Sequence, residues 1–492
     1  MRRLRPGTAL PFALTAGLVL TACSGSAGSG VGQSPESAPT TQATSSAPDA
    51  VDATQPDLDA ALSEPVEDSV YPDVGDPGVD ALRYSLGLAW DPATDTLTGT
   101  ETLTFRATDD ADDFQLDFGK PLRLADVSLD GAPVQHTRDG KNLVIAAPVV
   151  ADERYELVLD YAGTPRPVAA PTTRDDIPAL GFTIDAEHQV WTMQEPFGAY
   201  SWYAVNDQPS DKAFYDFTLS VPSPWTGIAN GEQTSSTDDG TTTTTTYELD
   251  DPAASYLATV AFGDYLRTDD EGPGGLPITY WTPRGRDDVL PGLQTSPEAL
   301  AYLEEYLGPY PFETAGILVV DSDSGMETQT MITLGDTPYA TEPATIVHEF
   351  AHQWYGDQVT PADWRDVWMN EGMAMYLQLM WQADQEDTPL DSYLTRFSRF
   401  EAEQRAAAGP PGDYDPTRFG ESNIYYGPAL MWHALRQHLG DEEFFAIVRG
   451  WPLAQDNTST DRETFVAYIE DQSGEDLDDF FDAWLLGETT PE

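Results

Sequence analysis

His348-Glu349-Phe350-Ala351-His352, followed by Trp368-Met369-Asn370-Glu371-Gly372-Met373-Ala374, is the stretch whose reading decides the fold. Thr341 and Pro343 start a helix that carries the first of these segments. Residues four apart lie one above the other on a helix face, so both imidazoles can reach one ion. Glu349, rotated sideways, is left free to act on a bound water. The chain has six histidines, and two of them stand here at ligand spacing. A catalytic zinc takes three protein ligands and leaves a fourth position open. Glu371, nineteen residues after His352 on a helix that returns past a turn at Pro361, supplies the third. The expectation is one zinc ion per chain, held by His348, His352 and Glu371.

Outward from this pair, helical periodicity continues over residues 296–307, 341–355, 367–382, 393–408, 428–439 and 464–473, with one strand-like run at 315–320. Before about Gly275 the pattern differs. Short alternating segments such as Leu82-Arg83-Tyr84-Ser85-Leu86 and Glu101-Thr102-Leu103-Thr104-Phe105 are separated by Asp130-Gly131 and Asp139-Gly140, which are hairpin signals. Alternation recurs at 155–161, 214–221 and in the Thr-rich 241–247, and ends near Phe262. The fold class expected is α+β: an N-terminal antiparallel β-sandwich or saddle over 71–270, then a mainly α catalytic domain over 271–492.

The chain begins Met-Arg-Arg-Leu-Arg, runs apolar from Thr8 to Leu20, and reaches Leu20-Thr21-Ala22-Cys23. That is a basic region, an apolar region and a small-residue cleavage site. It resembles a bacterial lipoprotein signal over 1–22, in which Cys23 carries the lipid and anchors the protein to the outer face of a membrane. Cys23 is the only cysteine, so no internal disulfide can form. Residues 23–70, rich in Ser, Gly, Thr and Pro, read as a flexible tether.

Charge narrows the partners. There are 84 acidic residues against 24 basic ones, and the lysines are Lys120, Lys141 and Lys212. A net charge of −60 repels phosphate backbones, so nucleic acid is excluded as a partner. With 40% hydrophobic residues and 12 tryptophans the body of the chain can bury a core.

Taken together, His-Glu-Phe-Ala-His, the Asn-Glu-Gly-Met-Ala segment at Glu371, and Ser324-Gly325-Met326-Glu327-Thr328 resemble, in order and spacing, the gluzincin aminopeptidases typified by aminopeptidase N. The resemblance covers about residues 75–485. It implies a β-saddle followed by a thermolysin-like domain, in a short form without the further helical domain of typical members. It also implies roles. Glu349 is the general base. Glu327, with Gly325 and Met326 in the exopeptidase motif, binds the substrate's free amino terminus. Glu195, matched through its spacing to Ala199 and Asp207, adds a second carboxylate. A tyrosine stabilises the oxyanion: Tyr425 by alignment on Ala429-Leu430, with Tyr426 as the substitute. Thr328 stands where the family has asparagine, and Ser324-Gly325 replace its usual first residues.

The function expected is removal of N-terminal residues from peptides. Two alternatives stay open at this point: an endopeptidase or other zinc hydrolase on the same fold, and a surface lipoprotein that binds peptides without cleaving them.

Overall fold

The computed structural model describes residues 57–491, which form one compact unit. Cys23 and the signal at 1–22 lie outside the described residues.

The β half is organised by strands in which every second side chain is apolar. Along Val79–Asp91 the side chains of Tyr84, Leu86, Leu88 and Trp90 are buried while those between face outward or half outward. This strand pairs antiparallel with Thr96–Ala107 and parallel with Lys212–Pro222, at the centre of an eight-stranded sheet. A second, five-stranded sheet contains Ala179–Ile184, Val190–Met193, Thr226–Ala229 and Val260–Gly263. It carries the chain toward the cleft.

A third sheet belongs to the catalytic half. Its order is Tyr265–Glu271, Pro277–Pro283, Ala315–Val320, Ile332–Gly335 and, at the edge, Gly325–Met326. The middle three strands are parallel, and Ala315–Val320 is buried along its whole length, as a strand covered on both faces must be. Behind the sheet pack the helices Ser296–Leu307, Pro343–His352, Trp368–Gln385, Leu390–Ala408 and Asn423–Leu439.

Two boundaries and the make-up of the catalytic half differ from the sequence reading. The segment 57–70, assigned to the tether, is packed: Ala61 and Val70 are buried, and the Asp68 carboxylate accepts backbone N–H groups of Val70, Tyr71 and Trp364. Leu58 and Ala61 pack with Leu82 and Phe214, and the polar contacts of Asp68 tie the segment to a distant part of the chain. The β half ends near residue 264 rather than 270, because Tyr265–Glu271 pairs with the catalytic sheet. The catalytic half is less purely helical than expected, since that sheet is its floor, and it adds the helices Asp441–Ala454 and Asp478–Leu485.

The two halves share a core. The cluster of the β half takes in Leu318, Val320, Met326, Trp364 and Phe419. Buried Lys212 donates from Nζ to the carbonyls of Asp357 at 2.7 Å and Gln358 at 3.1 Å, just past the histidine helix. The β half therefore holds the loop on which the metal-ligand geometry depends.

Candidate metal centre and substrate cleft

Pro343 opens the helix Pro343–His352 at a position where its missing N–H costs nothing. All of this helix from Ala344 on is buried. His348 and His352 project from one face, with Nε2 atoms 3.2 Å apart. Glu371, in the first turn of Trp368–Gln385, faces both: its Oε2 is 3.2 Å from His348 Nε2 and 3.4 Å from His352 Nε2. Ligand bonds of about 2.0–2.1 Å at tetrahedral angles put donor atoms roughly 3.3 Å apart. The triangle thus has the dimensions that zinc requires.

The surroundings agree with a cation at this point. His352 Nδ1 donates to the Tyr355 carbonyl at 3.1 Å, which fixes the tautomer that turns the Nε2 lone pair inward. Burial would lower the His352 pKa, but Glu327 and Glu371 outweigh it and hold the ring well above its ordinary value. Burial would likewise raise Glu371, yet His348 and His352 hold it well below the usual carboxylate range. Two imidazoles and a carboxylate so converge on one point, the donor set a dication takes.

Glu349 stands beside the triangle and outside it. Burial pushes its carboxyl up to about 8, with His352 opposing that shift and Glu327 and Glu371 adding to it. Its Oε1 occupies the space a side chain would fill at position 325: a Cβ on Gly325 would lie 2.7 Å from it. The glycine is thus needed for the base to sit against the edge strand. Met326, next on that strand, is buried with its sulfur 3.4 Å from the Gln194 N–H.

Glu327 is 3% exposed and its Oε1 has no partner; Glu195 likewise keeps a buried Oε1 without one. Burial pushes both carboxyls up, Glu195 further through the repulsion of Glu327 and Glu371. The segment carrying Glu195 is pinned by Asp207, which accepts from the Gly198 N–H at 2.8 Å and from the Ser255 hydroxyl at 2.8 Å. Both glutamates border a cleft of about 260 Å³ with the ligand triangle, Glu349, Tyr425 and Tyr426.

The two tyrosines differ in what they touch. Tyr425 lies over His348, ring centroids 6.0 Å apart and planes at 24°. Tyr426 instead stacks on Phe397 of the neighbouring helix, centroids 4.8 Å apart. The helix starts at Asn423, earlier than expected, so Tyr425 sits in its first turn. Its approach to Glu371 rests on Gly372: a Cβ there would come within 2.3 Å of Pro428 Cβ. Arg174, Tyr339 and Gln378 are among the cleft residues that went unread in the sequence.

Comparison with known proteins follows the same division of the chain. Residues 80–257 match the Peptidase M1 N-terminal domain, and residues 292–484 match the Peptidase family M1 domain. The chain belongs to peptidase family M1. An aminopeptidase N of Streptomyces lividans is 24% identical to this M1 family member over 439 residues, 83% of the chain but 50% of that relative. One named aminopeptidase N from Acetobacter pasteurianus is 26% identical over 319 residues, covering 60% of the chain and 88% of the relative. The chain spans half or less of the Streptomyces relative and of a probable aminopeptidase of Sulfurisphaera tokodaii. Among solved structures, the M1 zinc metallopeptidase of Deinococcus radiodurans is 25% identical with a TM-score of 0.75, and the match covers 87% of this M1 chain and 99% of that one.

Proposed function

We propose that the protein is a zinc-dependent aminopeptidase with one zinc per chain, held by His348, His352 and Glu371. The observation that carries this reading is the juxtaposition of the ligand triangle with buried Glu327 and half-buried Glu195, each of which keeps a buried oxygen without a partner. Buried charges left unpaired are costly, and a substrate α-ammonium is the partner they fit. It would stand at a fixed distance from the metal, which limits cleavage to the first peptide bond.

When bound, zinc acidifies a water toward a pKa of ~7 and polarises the scissile carbonyl. Glu349 takes the proton of the attacking water and later hands it to the leaving amine. The Tyr425 hydroxyl donates to the oxygen on which negative charge develops. Glu195 and Glu327 orient the amino terminus. An adjoining cavity of about 330 Å³ takes the side chain of the first residue; Leu180, Trp191, Met193 and Met326 suit an apolar stem, and Asp175, Asp176, Asp321, Asp323 and Asp336 on the same lining admit a basic end. A mutant of the Deinococcus metallopeptidase has been solved bound to Tyr-Ser-Ala.

The test is metal analysis of purified protein together with hydrolysis of leucine, arginine and aspartate p-nitroanilides. Near-stoichiometric zinc and release from the leucine substrate, lost on chelation and regained with zinc, are expected. Protein that takes up no zinc and cleaves none of the three would sink the reading.

We also infer, from the N-terminal sequence, that the protein is exported and lipid-anchored through Cys23. Among the described residues no helix is long and apolar enough to cross a membrane. Labelled palmitate should enter the wild-type protein made in bacteria and not Cys23→Ser; equal labelling of both rejects the assignment.

A further inference from the structure

Arg174 is a cation set among carboxylates at the cleft, and it comes from the β half. It lies on the loop between Val168–Ala169 and Ala179–Ile184. Its guanidinium is gripped by Asp176, from Nε at 3.0 Å and Nη2 at 2.5 Å, and Nη1 donates to the Gly420 carbonyl at 2.8 Å. The same Nη1 reaches the Tyr425 hydroxyl oxygen at 3.3 Å. The loop is tied to the entry of the tyrosine helix at two more points. Phe419 N–H donates to the Pro171 carbonyl at 2.9 Å, and the Thr173 hydroxyl donates to the Glu421 carboxylate.

A phenol carries one proton and accepts on its lone pairs. With a guanidinium N–H directed at the oxygen, the phenolic proton must point elsewhere, and the polarised O–H becomes a stronger donor. On its other side the Tyr425 ring lies over His348, centroids 6.0 Å apart, and lines the cleft that holds Glu371 and Glu195. Arg174 thereby turns the Tyr425 proton toward the metal centre, where charge develops during peptide hydrolysis.

We propose that Arg174 is a positioning residue for Tyr425, so that a loop of the β half completes the oxyanion-stabilising apparatus of the catalytic half. This rests on the aminopeptidase reading above. Asp176 fixes the guanidinium plane, and Gly420 fixes its distance from the tyrosine. A staple between the halves would need only the backbone ties at Pro171 and Phe419; the bond to the hydroxyl serves the reaction.

The experiment is steady-state kinetics on leucine p-nitroanilide for wild type, Arg174→Met, Arg174→Lys, Tyr425→Phe and the double variant Arg174→Met/Tyr425→Phe. Loss of a charge-assisted hydrogen bond predicts a fall in kcat of about 10- to 100-fold for Arg174→Met. KM should move less than about threefold, and Arg174→Lys should recover part of the loss. In the double variant the arginine has no hydroxyl to orient, so its further cost should be below about twofold. Losses that multiply in the double variant, an effect on KM alone, or an unchanged kcat would each overturn the proposal. Should Arg174→Met fail to fold, Asp176→Asn loosens the guanidinium while keeping it, and the same dependence on Tyr425 is read. Wild type that hydrolyses no aminoacyl anilide overturns the aminopeptidase reading first, and this inference with it.

Discussion

Glu349→Gln should bind zinc as the wild type does and hydrolyse peptides about 100- to 10,000-fold more slowly, the range for loss of a positioned general base. The structure separates the two effects. Glu349 contributes no atom to the triangle of His348, His352 and Glu371, so metal content should not change. Glutamine has the same shape, so the tight space against Gly325 stays filled and no cavity opens in the cleft. What is lost is the capacity to take a proton and return it. Burial and the neighbouring acids Glu327 and Glu371 raise this carboxyl, and a dication beside it would pull it back toward the ionised base. Turnover numbers measured beside zinc content decide the matter: a variant within tenfold of wild type with full zinc removes Glu349 from the proton transfer.

Much of the fold was legible because its elements are long and periodic. The helix read at 296–307 is found at Ser296–Leu307, and the strand read at 315–320 at Ala315–Val320. The helices Asp441–Ala454 and Asp478–Leu485 escaped, the first with Gly450 and Pro452 near its end, the second only eight residues long. Their stability comes from packing of Phe444, Trp451, Phe481 and Trp484 in the helical core, which a local window does not see. Gly325–Met326 has two residues and hence no period; pairing with Ile332–Gly335 makes it a strand.

The site divides along the same line. His348 and His352 are set by helical spacing, a local property, and Glu371 needs only one turn and a returning helix. Glu195, Glu327 and Tyr425 were reached through family resemblance, because their meeting depends on the docking of the β half against the helices. Arg174 had no signal: it lies in an aperiodic loop, and its contact with Tyr425 spans 251 residues of sequence. Gly372 shows the reverse case. It is visible in the sequence as part of a motif, and the structure supplies its reason, the close passage of Pro428.

Blocking the substrate's amino terminus should be nearly as damaging as losing the base. An N-acetylated peptide has no ammonium to offer Glu195 and Glu327, and its acetyl group must enter the space between them. Leaving buried carboxylates unpaired costs about 3–5 kcal/mol, which converts to a loss of roughly 100- to 1,000-fold or more in kcat/KM. Glu327→Gln should act on the free peptide and spare the acetylated one, because the amide replaces a charge only the ammonium uses. The ratio of free to acetylated kcat/KM should therefore shrink about tenfold or more in the variant. The backbone of Glu327 is held by Gln353 Nε2, which donates to its carbonyl at 3.0 Å, so the substitution leaves the segment in place. Liquid chromatography of both peptides after exposure to wild type and variant reads the ratio directly. Equal cleavage of the two peptides by wild type would make the protein an endopeptidase on this fold. The unpartnered oxygens of Glu195 and Glu327 would then need another cation to answer them.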